Sequence, residues 1–246
     1  MELSRTPARW VGGLGVAWVV IFLGSVGGLQ GEPPASDAPL AELRDFFADN
    51  GTRYLVGDFL AGTAFMLLFI PFIVFLPRGL GIAESAWSRM AAVGAAALVA
   101  VGGMATSFLD AVAIVKGDPR IDDGALTALL QANSAGIALI GLPAALVTLS
   151  IAGMLQTPGA LWTAGRPTGV LRATAILGWI ATVLLVVGAA FPIDDNPRGP
   201  LWTVRFSSFV GLALLVLVTS ILVLTRRPDA PAIAAGRSGA AVGARD

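Results

Sequence analysis

Apolar positions collect into six long blocks separated by short polar segments. The blocks run Val11–Leu29, Tyr54–Leu76, Met90–Leu109, Ala135–Leu155, Ala173–Phe191 and Phe206–Leu224. A helix needs roughly 20 mostly apolar residues to cross a ~30 Å hydrocarbon slab. Each block meets that length, and only the second holds an ionisable residue well inside it, Asp58. The pattern predicts an all-α, six-helix transmembrane bundle forming one domain over residues 1–225. The polar stretch 226–246 is expected to be a disordered cytoplasmic tail.

The links refine this picture. A basic start followed by an apolar run also suits a signal peptide. The first block exceeds the roughly 7–15 residues of a signal core, so a retained helix is expected. The longest link is Gln30–Arg53, and Pro33, Pro34 and Pro39 break its beginning. A short amphipathic helix is expected from about Pro39. It carries Leu40, Leu43, Phe46 and Phe47 on one face, with Glu42, Asp45 and Asp49 largely opposite, and Asn50-Gly51 is a stop signal. Two placements fit: a surface helix lying along the membrane, or a lid on the helix ends. Pro71 and Pro143 should kink the second and fourth spans. Asp122 or Asp123 should cap the fourth helix near Gly124. Small residues at i, i+4 spacing (Gly24 and Gly28, Gly57 and Ala61, Ala91 and Ala95) suit close helix packing.

With the N-terminus inside, eight Arg flank the spans on the inner side and six Arg or Lys on the outer. Twelve of the 16 acidic residues then fall in or beside the outer loops, leaving those loops net negative. Trp10, Trp87 and Trp162 would form an inner aromatic belt, and Tyr54 and Trp202 an outer one. The expectation is a multi-pass protein of a bacterial cytoplasmic (inner) membrane with both termini cytoplasmic.

Composition narrows the chemistry. Hydrophobic residues make up 56% of the chain and charged ones 13%, against roughly 25% charged in soluble domains. Formal net charge is zero, so no nucleic-acid partner is expected. Cys and His are absent. That removes disulfides, thiolate chemistry, Cys or His metal sites and His-based nucleophilic catalysis. No phosphate-binding loop or hydrolase motif occurs, and no cofactor or metal is expected.

Ionisable groups at membrane depth are costly, so each invites a functional reading. Asp58 lies one turn into the second span, and Asp110 ends the third. Arg53 opens the second span and Arg205 the sixth, while Gln131 and Asn133 lie near the start of the fourth. All map to the outer leaflet, which predicts a polar cluster with the two carboxylates paired to Arg53, Arg205 or Lys116. The same residues suit plain ties between helix ends, or independent snorkelling side chains. Paired aspartates in Ile121-Asp122-Asp123-Gly124 and Pro192-Ile193-Asp194-Asp195-Asn196 suit ordinary caps and turns better than a calcium site.

The stretch Leu43–Leu80 reads LRDFFADNGTRYLVGDFLAGTAFMLLFIPFIVFLPRGL. It resembles a family of uncharacterised actinobacterial multi-spanning membrane proteins. There, an acidic, aromatic first loop leads into the second span, and a short Arg-containing loop follows. The Gly141-Leu142-Pro143-Ala144-Ala145 segment is similar as well. The resemblance implies the six-span architecture and carries no catalytic residues. The expected role is a non-catalytic accessory or interaction subunit, with the lipid bilayer and a membrane-protein partner or a second copy as its contacts. The alternatives are a small-solute or proton-coupled transporter or channel using the outer polar cluster, and an intramembrane enzyme using Asp58 and Asp110 as acid and base.

Overall fold

A computed structural model describes residues 6–31, 33–34, 38–115, 118, 121–157, 160, 168–190 and 200–225. Among these residues all regular structure is helical, and six helices are long and apolar enough to cross a membrane. The first span is α1 (Thr6–Leu23), extended by π-helical turns over Gly24–Gln30. The second is α2 (Leu40–Ala64), a π-helical turn over Phe65–Phe69, and α3 (Ile70–Leu80). The remaining spans are α4 (Ala86–Val115), α5 (Asp123–Gln156), α6 (Thr168–Gly188) and α7 (Pro200–Leu224).

Each span packs mainly on its neighbours in sequence, and α7 closes on α1, so the six form a ring in chain order. The middle is filled by Trp18, Phe69, Phe72, Leu76, Val147, Ile151, Met154, Leu215 and Val216, all but absent from the surface. Outward-facing positions are just as apolar, among them Val20, Phe59, Met66, Leu67, Val93, Ile180, Val183 and Ile221. Soluble proteins rarely expose apolar patches beyond a few hundred Å². Such a band, on helices that satisfy their own backbone hydrogen bonds, belongs in lipid.

Small residues set the helix spacing. A Cβ on Gly136 would stand 2.8 Å from the Ala105 Cβ, and one on Gly178 would stand 2.9 Å from the Ala152 Cβ. Gly57, Ala61, Ala91 and Ala95 are buried at interfaces, whereas Gly24 and Gly28 face outward.

Proline shapes the second span by a route other than a bare kink. Pro71 has no N–H, and its ring crowds the carbonyl four residues back. The chain widens just before it, so that the Ile70 N–H bonds to the Phe65 carbonyl five residues earlier. Helix α5 continues through Pro143. The second span ends at Gly81, whose φ of 75° lets its N–H reach the Arg78 carbonyl and the Ile82 N–H reach the Pro77 carbonyl. Asp122 caps α5 by accepting from the Ala125 N–H at 2.7 Å.

The separate amphipathic helix of the first loop requires correction. Leu40 does begin a helix, but that helix runs through Asn50-Gly51 into the second span. The Asn50 amide bonds back to the Phe46 carbonyl at 3.1 Å, serving the helix it was expected to end. Tertiary packing decides the matter. Leu43, Phe47 and Tyr54 are buried against Leu109, Val112, Ala113, Leu126 and Leu130. The segment thus is not a separate surface helix; it packs on the ends of α4 and α5, as the lid reading expected, but in one piece with the second span. It is the projecting first half of a 41-residue helical run, about 60 Å long at 1.5 Å per residue. The projecting ends of α2, α4 and α5 share a second small core, hereafter the cap. Tyr54, expected at the membrane boundary, lies inside this cap, edge-on to Phe47 with centroids 5.3 Å apart. The tail 226–246 and the Pro192–Asn196 turn lie outside the described residues.

Candidate functional site

Where the cap meets the transmembrane body, three spans contribute polar side chains. The first span delivers Gln30 at the end of its π-helical turns. Its Nε2 donates to the Asp58 Oδ1 at 3.0 Å. Gly57 allows this approach, since a Cβ there would meet the Gln30 Cγ at 2.9 Å and the Leu29 Cβ at 3.0 Å. Asp110, on α4, lies within electrostatic range of the half-buried Asp58 carboxyl. Thr106 and Asp110 are one turn apart and share a helix face. The Asp110 Oδ1 is buried, with no hydrogen-bond partner among the described residues. Tyr54 lies within electrostatic range of both carboxyls.

The six residues expected to cluster are divided by the structure. Asp58 and Asp110 come within electrostatic range of one another. Arg53 turns to the backbone instead, donating from its guanidinium to the Gly28 carbonyl. That carbonyl belongs to the π-helical end of the first span, so Arg53 and Gln30 tie the same two segments together. Among the described residues the one ion pair is Arg44–Asp123 at 2.9 Å, across the cap. The expected Arg53–carboxylate pair is therefore replaced by a bond from Arg53 to a backbone carbonyl, and Asp58 is held instead by the Gln30 amide. The physical reason is reach: Arg53 leaves the helix one turn above Asp58, where an unsatisfied helix-end carbonyl is nearer at hand. Gln131 is exposed and Asn133 buried, and neither bonds to the carboxyl pair. The Asn133 Oδ1 has no partner among the described residues. Arg205 lies on α7, but its side chain, like all of Lys116, falls outside the described residues.

Sequence reasoning missed Gln30, which carried a signal. Gln30 ends the first span at the depth where Asp58 enters the second, and consecutive antiparallel spans place those positions side by side.

Chemically, the site sets two carboxyl groups near one another at the cap and fixes one of them with an amide. Among the described residues no three Asp or Glu side chains converge as a metal site would need. No protein-family model, curated protein or solved structure matches the chain. Six lipid-compatible helices around a packed middle define an integral, multi-pass membrane protein.

Proposed function

We propose that the protein is a non-catalytic accessory or interaction subunit of a bacterial cytoplasmic membrane, with both termini cytoplasmic. The observation that carries this reading is the filled middle of the ring. Trp18, Phe69, Phe72, Val147, Ile151 and Leu215 occupy the space that a solute would cross. Several buried hydroxyls there bond to their own helices, Ser150 to the Leu146 carbonyl, Thr174 to Val170 and Ser220 to Val216, while the buried Thr219 hydroxyl has no partner among the described residues. The same packing suits a scaffold whose lipid-facing sides and projecting cap meet a partner or a second copy.

Two carboxyls within electrostatic range, Asp58 and Asp110, support a second reading, proton-coupled transport. Reconstitution into vesicles loaded with a pH-sensitive dye separates transport from the accessory role. An imposed proton gradient is expected to decay as in protein-free vesicles. Faster decay that Asp58→Asn abolishes would overturn the accessory reading.

A further inference from the structure

The end of the bundle opposite the cap is basic. Arg9 lies in the first turn of α1, Arg78 in the last turn of α3, Arg89 in the first turn of α4 and Arg172 near the start of α6. All four are exposed, and Glu84, between α3 and α4, is the one acidic residue at this end among the described residues. It pairs with none of them, since the one ion pair among those residues belongs to the cap. On a bundle of lipid-facing helices, this end lies among headgroups, where basic side chains attract anionic lipid.

Arg78 is held unlike a side chain reaching for water. A basic residue at the end of a span ordinarily extends its stem away from the hydrocarbon. Phe75 precedes Arg78 by three residues, on the same side of α3. The Arg78 guanidinium carbon stands over the Phe75 ring, 5.6 Å from its centroid. The charge is thus drawn back along the helix toward the apolar block, where the ring face attracts a cation. Trp10 of α1 meets the same ring edge-on, with centroids 5.6 Å apart and planes at 62°. Trp10 is 54% exposed, and its indole has an N–H to donate.

The backbone beneath these side chains is closely packed. A Cβ on Gly79, the next residue after Arg78, would stand 3.2 Å from the Val11 Cγ1 of α1 and 3.1 Å from the Val223 Cγ1 of α7. Val11, beside Trp10, is buried in that contact. From Arg78 toward the middle of the bilayer, the outward side of the second span is apolar. Val74 and Leu67 follow at four and eleven residues back, both exposed. A cation at headgroup depth above an apolar track suits an amphiphile, with a negative head and a hydrocarbon chain, better than a soluble anion.

We propose that Arg78, Phe75 and Trp10 form a seat for one anionic phospholipid at the edge between the first and second spans. The lipid phosphate accepts from the Arg78 guanidinium and the Trp10 indole, and an acyl chain follows Val74 and Leu67. The seat goes beyond the accessory role and does not rest on it, since it needs neither a protein partner nor a given orientation in the membrane.

The test places full-length protein in phosphatidylcholine vesicles containing phospholipids brominated near the headgroup, which quench the indoles they touch. The Trp10 signal is the difference between the parent and Trp10→Phe. Brominated phosphatidylglycerol is expected to quench it at a lower mole fraction than brominated phosphatidylcholine. Arg78→Gln should reduce that preference about fivefold, the factor for one basic side chain near an anionic surface. Arg172→Gln, at the same end but on α6, should reduce it far less. Equal quenching by the two lipids overturns the seat. So does a preference that Arg172→Gln lowers as much as Arg78→Gln, which assigns it to the overall charge of this end. Relief of quenching by inorganic phosphate, but not by chloride at the same ionic strength, overturns it as well, by marking a site for a soluble anion.

Discussion

The Gln30 side-chain amide and the Asp58 carboxyl meet at 3.0 Å, joining the last turn of the first span to the second. The bond links two segments that have little else in common at this end, one π-helical and glycine-rich, the other α-helical. Together with the Arg53–Gly28 contact it fixes where the first span stops.

Removing that donor should therefore be felt. A hydrogen bond to a charged or half-buried acceptor contributes about 1.5–3 kcal/mol, and losing one partner leaves the other unsatisfied. Gln30→Ala is expected to destabilise the protein by about 1–2 kcal/mol, seen as a lower midpoint in thermal unfolding by intrinsic fluorescence in detergent. Gln131→Ala, at an exposed site without a bond to the pair, should stay within about 0.5 kcal/mol of the parent. Equal effects from the two substitutions would show that the Gln30–Asp58 bond does not anchor the first span.

In the cap, packing should outweigh charge. Arg44 and Asp123 form an ion pair at 2.9 Å, but the Asp123 side chain is 74% exposed. Exposed pairs typically contribute about 0–1 kcal/mol. Phe47 is fully buried in the cap core beside Leu43 and Tyr54. Truncating a buried Phe to Ala costs about 3–5 kcal/mol. Phe47→Ala should therefore loosen the cap far more than Arg44→Gln. The comparison is made by hydrogen exchange at the α2 residues 40–53. Similar loss of protection in both variants would mean that the ion pair, and not the aromatic core, seats the cap.

The sequence displayed the membrane-embedded part of this fold clearly and its projecting part poorly. Hydropathy marks where lipid begins and ends, so the six blocks mark the buried lengths of the spans well. It says nothing of how far a helix continues into water. Hence the apolar block Tyr54–Leu76 belongs to a helical run of Leu40–Leu80. Asn50-Gly51 misled because local stop signals are weak beside the burial of Leu43, Phe47 and Tyr54 in one core. At the site, depth along the spans was enough to place Asp58 and Asp110 within electrostatic range of one another. Rotation about each helix axis was not legible. That rotation turns Arg53 to a backbone carbonyl and keeps Gln131 in the open.

Glycines at contacts and glycines in open space should respond with opposite sign. A Cβ on Gly153 would lie 2.4–2.8 Å from the Trp87 ring, which is a rigid neighbour. A Cβ on Gly102 would meet nothing within 4 Å. Overpacking costs about 1–3 kcal/mol, whereas replacing a helical glycine by alanine in open space gains about 0.5–1 kcal/mol. Gly153→Ala should lower the unfolding midpoint and Gly102→Ala should raise it slightly. Adding Trp87→Leu to Gly153→Ala should recover part of the loss, a non-additivity expected of residues in contact. Strictly additive changes would place the indole elsewhere.

Deep in the bundle, the Thr148 and Thr182 hydroxyls stand 2.8 Å apart between α5 and α6. Thr148 is also placed to donate to the Ala145 carbonyl at 3.0 Å, and Thr182 to the Gly178 carbonyl at 2.8 Å. Three bonds are drawn from two hydroxyl protons, and each hydroxyl has only one to donate. At most two of the three exist at any instant, so the interhelical bond competes with a bond inside one helix. Its net contribution should be small even without water to compete. Interhelical hydrogen bonds in membrane proteins average about 0.6 kcal/mol by double-mutant cycle. Thr148→Val, Thr182→Val and the double variant, unfolded by denaturant in mixed micelles, should give a coupling energy of about that size. A coupling of several kcal/mol would mean that one hydroxyl proton is committed to the contact between the helices. A coupling of zero would mean that each hydroxyl stays on its own helix and the two threonines merely touch.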